Sequence, residues 1–393
     1  MPLFAAEILS IEKMFMAQGK IYTAALIGCG RIGYSLGLDK KREQPASHTM
    51  ALNENPRVQL IAACDKDAVV LNQWHEANKK CQVYRNSANL YARNKPDIIT
   101  IAVNENSHVS EALDAIMARP GLIILEKPVA LSVDQALRIY NSCERNNVSI
   151  LVNHERRFAE DYNLAKSFLS EIGDMQSIRA SLHSGMVVYS RERDFQGQGA
   201  FSLLHDGTHL VDSVLFFLEQ NMPSTTVNVP VYKSISEKGL GLLGMAEKNY
   251  GSTRVVNSLL NNPLVTGILR DENGDVRQFS AHYQTKICPD VEISIYGRSR
   301  FFAFDIEITG TEGRISIGNG YLKLYKSEPS ELYTGFNSLK SQKNIKVPKK
   351  TLYFANMVAN AVNFLDGKEA LKSTLQNGIN ALAVLEEIKE FLK

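Results

Sequence analysis

The most restrictive feature of this chain is the segment Gly28-Cys29-Gly30-Arg31-Ile32-Gly33, set directly after the apolar run Ala24-Ala25-Leu26-Ile27. Such a run suits a strand buried on both faces. The three glycines suit a tight turn, a close backbone approach to a pyrophosphate, and a close helix–strand contact, with a helix N-terminus facing the phosphates. Gly28, Gly30 and Gly33, with Arg31 and Ile32 between them, are therefore predicted to bind a dinucleotide. The spacing alone is weak evidence, and it gains force only from what surrounds it.

Further strands are predicted at Val58 to Cys64, Asp97 to Val103, Leu122 to Leu125 and Ser149 to Val152. Helical patterns fall between them at Thr49 to Asn53, Ala68 to Asn78, His108 to Ala118 and Val133 to Arg145. That alternation predicts a doubly wound parallel sheet. Ser132 and Gln135 read as a capping box at the start of the last of these helices. Beyond it the texture changes to alternating runs, Ile178 to Leu182, Glu292 to Ile295, Arg314 to Ile317 and Tyr321 to Leu324, which predict a half-exposed antiparallel sheet. The chain closes with Phe354 to Leu365 and Gly378 to Leu392, both apolar at helical spacing.

At 393 residues the chain exceeds what one core fills, since single cores stop growing at roughly 250–300 residues. The expected division is an N-terminal extension over 1–20, a dinucleotide-binding domain over 21–150 and a second α+β domain over 151–393. Leu3 to Met16 could form a short amphipathic helix, and the glycine-rich Gly239 to Gly244 follows no strand and reads as a loop.

Asp65 ends the second strand, where a carboxylate would accept hydrogen bonds from the adenosine ribose hydroxyls and repel a 2′-phosphate; it could equally cap the next helix. NAD is the predicted cofactor. Lys66 or Arg42 could hold a 2′-phosphate, so NADP stays open. About a dozen residues, Tyr34 to Pro45, separate the glycine turn from the resumption of the first helix.

Forty-four basic against 42 acidic residues give a net charge of +2, which calls for no nucleic acid. No segment approaches the ~20 apolar residues of a membrane helix. Glu7 and Glu12 stand where a secretory signal would carry Lys or Arg, so a cytoplasmic protein with no membrane association is expected. Cys29, Cys64, Cys81, Cys143 and Cys288 are scattered and odd in number, without CxxC spacing, which argues against a disulfide framework or a zinc ribbon.

Glu126-Lys127-Pro128 follows the fourth strand. With Ile27 to Gly33, His48 to Leu52, Ala63-Cys64-Asp65, Asn106-Ser107-His108, Arg156-Arg157-Phe158 and Ile308 to Gly313, it forms a series that resembles the Gfo/Idh/MocA family of sugar and inositol dehydrogenases. The resemblance covers most of the chain. It implies a Rossmann domain followed by an open, mainly antiparallel sheet. One face of that sheet supports substrate, the other commonly makes a homodimer or homotetramer, and the closing helices pack back on the body.

Lys127 falls on the family lysine that reaches the nicotinamide ribose and the reacting oxygen. The family's second element has the form Asp-x-x-x-His, and His209 falls on its histidine, a general acid/base. His205 stands where the family has aspartate, and Asp206 lies one residue later, roughly 100° around a helix. Gly199 alone remains of the preceding glycine run. The resemblance thus makes Lys127, His205 and His209 the candidate catalytic residues, with Asp206 beside them at the substrate. Asn104, Glu105, Asn106, His108 and Glu126 are expected along the cofactor, and Asn153, His154, Glu155 and Arg156 facing the cleft, with Arg157-Phe158 bracing the domain junction.

The implied activity is NAD(P)-dependent transfer of a hydride between nicotinamide and a hydroxyl or ketone carbon of a sugar, inositol or sugar nucleotide. Arg156, Arg191, Arg193 and Tyr189 permit a phosphorylated or nucleotide-linked substrate. Two other readings compete. One is a dinucleotide sensor on the same scaffold; the other is a metal-dependent enzyme using His205 and His209 with Asp206, Asp212 or His183, for which the sequence has no strong ligand spacing.

Overall fold

The computed structural model describes residues 19–197, 201–219 and 259–393. The predicted helix over 3–16, Gly199 and the Gly239 to Gly244 run lie outside them. Strands β1 (Tyr22–Ile27), β2 (Val58–Cys64), β3 (Gln82–Tyr84), β4 (Ile98–Ile101), β5 (Leu122–Leu125) and β6 (Ser149–Val152) pair in the order β3-β2-β1-β4-β5-β6. Every pairing is parallel. Helices cover both faces of this sheet, so all four residues of β4 and of β5 are buried. That burial explains the unbroken apolar run of β5 and the isoleucine-rich run of β4, which only Thr100 interrupts.

The connecting helices are α1 (His48–Glu54), α2 (Ala68–Ala77), α3 (Ser87–Arg93), α4 (His108–Met117) and α5 (Val133–Asn146). Ser47, Asp67, Asn86 and Ser132 cap α1, α2, α3 and α5 by accepting first-turn backbone N–H groups. The box predicted at Ser132 is displaced by one residue, because Gln135 Oε1 accepts from the N–H of Leu131 at 3.1 Å. The three-residue β3 and the seven-residue α3 escaped prediction, both short for a periodic pattern.

After α6 (Glu160–Ser167) the second sheet begins with β7 (Met175–His183). Three helices follow: α7 (Arg191–Phe195), α8 (Ser202–His205) and α9 (Gly207–Leu218). Then come β8 (Leu264–Arg270), β9 (Val276–Tyr283), β10 (Val291–Tyr296), β11 (Ala303–Gly310), β12 (Gly313–Gly318), β13 (Tyr321–Pro329) and β14 (Asn337–Ser341), and finally α10 (Tyr353–Leu365) and α11 (Leu375–Leu392). The order is β14-β13-β12-β11-β7-β10-β9-β8, antiparallel except where β7 lies beside β10. Ile178, Ala180, Leu182, Ile306 and Ile308 bury one face. The other face is polar, with Arg179, Ser181, Glu292, Ser294, Glu307 and Ser316 along it. Helix α9 is buried almost all round, as a helix must be when it is held between this sheet and α11.

The closing helices return to the first sheet. Phe354, Met357, Val358 and Ala361 of α10 share a core with Leu26, Leu52 and Trp74. Asp366 at its C-terminal end accepts from Arg57 at 2.7 and 2.8 Å and from the Tyr22 hydroxyl at 2.9 Å. At its N-terminal end the Glu43 carboxylate accepts the N–H groups of Thr351 at 2.9 Å and Leu352 at 2.6 Å. The end of β6 is joined to α9 by Arg157, whose Nε donates to Asp212 at 2.9 and 3.0 Å and whose terminal nitrogens donate to Glu219 at 2.7 and 3.0 Å. Removing this buried cation would leave two carboxylates facing each other. Arg157→Leu is therefore expected to cost about 3–5 kcal/mol, read as a lower midpoint of thermal unfolding; an unchanged midpoint would show that the pair does not brace the junction.

Candidate functional site

In a doubly wound sheet, ligands bind where the strand order reverses, beyond the carboxyl ends of the strands. Here that point lies between β1 and β4, and the glycine segment is the loop leaving β1. Gly28 has φ +96°, and a Cβ there would lie 2.5 Å from the Ala102 carbonyl oxygen. A Cβ on Gly33 would lie 2.1 Å from the Gly28 oxygen, whereas one on Gly30 would meet nothing within 4 Å. Two glycines are thus fixed by the fold itself, and the third opens space at the loop. That combination fits a pyrophosphate.

The helix expected after this loop is interrupted. Its first turn forms, with the Tyr34 N–H on the Gly30 carbonyl at 2.8 Å, and the chain then leaves through a 3-10 turn at Ser35–Leu38. The His48 and Thr49 N–H groups return to the carbonyls of Ile32 and Gly33, both at 3.0 Å. Those partners are sixteen positions apart instead of four, so a twelve-residue excursion is spliced into one helix. Glu43, within the excursion, is the residue that anchors α10; the sequence showed the insertion but gave no sign of this partner.

Asp65 lies just past β2 and is half-buried. Its Oδ2 accepts the Cys29 N–H at 2.8 Å and its Oδ1 the Asp67 N–H at 2.8 Å. The carboxylate therefore steadies the glycine loop, and its remaining lone pairs fit ribose hydroxyls. The capping role left open for Asp65 belongs to Asp67. Arg31, Asn104 and Asn106 are exposed, and Ile32 is half-buried. Asn106 Nδ2 donates to the Gly197 carbonyl at 3.3 Å, tying the loop after β4 to the end of α7.

Three polar residues expected along the cofactor or substrate are instead buried struts. The His108 ring spans the carbonyls of Pro128 at 2.6 Å and Val103 at 3.1 Å, and burial pushes its pKa down. Its position joins two site loops and keeps it from the cleft surface. Glu126 Oε1 receives His48 Nε2 at 2.7 Å and Asn153 Nδ2 at 2.6 Å. Burial alone would raise its pKa, but the hydrogen bond and charge of His48, the charge of Lys127 and the Asn153 amide hold it at about 2. Both Glu126 and Asn153 are thereby buried behind Lys127.

Lys127 is half-buried, and its Nζ donates to the His205 carbonyl at 2.9 Å; the Lys127–Pro128 peptide bond is cis. His205 ends α8, and His209 sits in the first turn of α9. Both are half-buried, and neither ring makes a side-chain hydrogen bond among the described residues. Burial pushes the pKa of His209 well down, and the charges of Lys127, Arg156, His154 and His205 push it the same way. His205 is lowered by burial and Lys127, against Asp206, Glu105 and Glu126. Two neutral imidazoles therefore flank the lysine.

The other candidates separate. Asp206 Oδ2 accepts from the Ser184 hydroxyl at 3.1 Å. Arg156 lies 3.7 Å over the Phe304 ring and donates to Glu155 at 3.1 Å. His154 is buried beside Asp212 at 2.9 Å, a neighbour the sequence did not pair with it. The metal reading finds no support: His183 stacks on Tyr296 at 4.5 Å, and Asp212 is held by Arg157. Among the described residues no three potential ligands converge. Arg191 and Arg193 are exposed on α7, while Tyr189 is buried with its hydroxyl on Asp194 at 3.1 Å.

Residues 22–154 match the family model for the Gfo/Idh/MocA "Oxidoreductase family, NAD-binding Rossmann fold". Over that first domain the chain is similar to the Gfo/Idh/MocA oxidoreductases. A D-apiose dehydrogenase of Paraburkholderia graminis is 26% identical over 200 residues, 50% of each chain. The chain thus spans half the length of that relative. A D-apiose dehydrogenase of Rhizobium rhizogenes is 24% identical over 67% of each chain. The WlbA dehydrogenase of Bordetella pertussis, solved with NADH and UDP-GlcNAcA, superposes with a TM-score of 0.66 at 15% identity over 94% of this chain and 95% of its own. That superposition establishes shared architecture, including the open second sheet.

The glycine loop makes a separable prediction. Gly30→Ala should leave thermal stability unchanged yet weaken NADH binding at least ~10-fold, because its methyl group would enter space the fold leaves free for the pyrophosphate. Gly33→Ala should lose both. A fluorescence titration with NADH beside a melting curve checks this, and full NADH affinity in Gly30→Ala would remove the pyrophosphate from this loop.

Proposed function

We propose that this protein is an NAD(H)-dependent dehydrogenase or reductase acting on a hydroxyl or ketone carbon of a sugar, inositol or sugar nucleotide. The observation that carries the reading is the 2.9 Å contact between Lys127 Nζ and the His205 carbonyl. It sets an ammonium, at the end of a central strand, against the helix pair that bears His205 and His209. Bound along the glycine loop with its ribose at Asp65, NAD would accept a hydride from the carbinol carbon, or return one to the ketone.

The chain's own groups handle the charge and the proton. One Lys127 N–H is used by His205, and the other two can donate to the substrate oxygen, where negative charge develops as the carbinol proton leaves. Neutral His209 offers a ring nitrogen for that proton, and His205, one turn earlier, can orient the same hydroxyl. Both imidazoles and the lysine remain in place, which favours turnover over a sensor role. Asp65 disfavours a 2′-phosphate, and so favours NAD over NADP. The reading includes a homodimer or homotetramer formed through the polar sheet face. It also places the protein in the cytoplasm, in keeping with five free, buried cysteines.

Lys127→Ala should lower kcat by about 10²–10³-fold while changing the NADH dissociation constant less than about threefold; equal turnover would sink the assignment. A base with a depressed pKa is neutral above that pKa and lost as pH falls through it. Oxidation should therefore stay level as pH drops from neutral through 6.5 and fall only below, and an acid limb centred at 7 or above would contradict the role given to His209.

A further inference from the structure

The second sheet ends in a hairpin that outreaches it. Strand β12 pairs with β13 only from Tyr321 to Lys326, whereas β14 pairs with β13 from Tyr325 to Pro329. Past Ser327, whose N–H still reaches the Glu312 carbonyl at 2.7 Å, the two strands run on with no third strand beside them among the described residues. A two-stranded ribbon is marginal in water on its own, yet this one is braced. Lys340 Nζ donates to Glu331 at 2.6 Å, Gln342 Nε2 to Glu328 at 2.9 Å, and the Ser330 N–H to the Phe336 carbonyl at 2.9 Å.

The tip of this braced ribbon is apolar. Residues 331–339 are all exposed, and among them Leu332 keeps 82% of its surface, Phe336 69% and Tyr333 67%. Tyr333 and Phe336 stand edge to face with ring centres 6.4 Å apart. Single exposed apolar residues are ordinary, but a cluster of large ones held on a rigid arm marks a contact surface.

Continuity and charge favour a second copy as its cover. Leu339 of the hairpin pairs with Ser327 and lines the polar face of the sheet beside Tyr325, so the apolar tip runs on into that face. The charges there balance, with Arg179, Arg314 and Lys323 against Glu292, Asp305 and Glu307. An isologous interface presents one patch to itself, so a patch with equal numbers of both signs can set each cation against an anion of the copy. A membrane or a nucleic acid would instead favour an excess of cations.

We infer that the β13–β14 hairpin is an arm that seats the Leu332, Tyr333 and Phe336 side chains on a second copy of this chain. This rests on the sheet-face oligomer of the reading above and names the residues that hold the copies together. The polar face sets the register, and the three side chains provide the apolar area that becomes buried.

Sedimentation velocity of the full chain over a range of concentrations tests this. The triple variant Leu332→Ser, Tyr333→Ser, Phe336→Ser is expected to weaken self-association at least ~100-fold, with the circular dichroism of the parent chain retained. Lys323→Glu, on the flat face, unbalances the charges and should weaken it at least ~10-fold. A triple variant that associates as tightly as the parent overturns the inference; if Lys323→Glu dissociates beside it, the sheet-face oligomer stands and only the arm is discarded. Dissociation of the triple variant with Lys323→Glu unaffected keeps the arm and discards the sheet-face contact. A parent chain that sediments as a monomer at every concentration discards both. Flotation of the parent chain with phosphatidylcholine vesicles, lost in the triple variant, would also overturn the inference by making lipid the partner.

Discussion

The Glu126 carboxylate is where three chain segments distant in sequence meet. It ends β5, receives His48 from the first turn of α1 and takes the Asn153 amide from the end of β6. A buried carboxylate is costly unless it is hydrogen-bonded, and these two donors meet that need. They also fix the direction in which the next residue leaves the sheet. Lys127 is that residue, so the position of its ammonium is set from beneath by a buried polar contact. His108 does the corresponding job on the other side, joining the Pro128 carbonyl to the loop after β4.

The two sheets are coupled through this same region. The 3-10 turn after β6 sends Arg157 into α9, where Asp212 and Glu219 receive it. Lys127 then touches the end of α8. Helix α10 returns to the α1 side of the first sheet, clamped by Glu43 at one end and Arg57 at the other. The spliced excursion in the first helix thereby gains a structural purpose, since it delivers the carboxylate that secures the start of α10.

Much of this was readable in advance. The glycine loop, the buried parallel strands and the half-exposed second sheet follow from local periodicity, and each is present. His108, Glu126 and Asn153 were expected to face a ligand and are buried on protein partners, because the sequence identifies a polar residue at a strand end but not whether a partner from another segment will bury it. The capping role considered for Asp65 fell to Asp67 for a similar reason, as the choice between neighbouring carboxylates depends on where the Cys29 N–H points.

By itself the sequence determined the alternation of buried strands and helices in the first domain, the glycine turn and the placing of Lys127 just beyond a central strand. All of these are written in residue spacing over a few turns of chain. Tertiary structure alone decided which charges are spent and which are free. Glu126, Asp206 and Asp212 are all acidic residues in the sequence, yet each is engaged by a partner set by packing, and the imidazoles of His205 and His209 are left without a side-chain hydrogen bond among the described residues. Hydrogen bonds and ion pairs act only over a few ångströms, so their partners are fixed by the folded chain and not by distance along it.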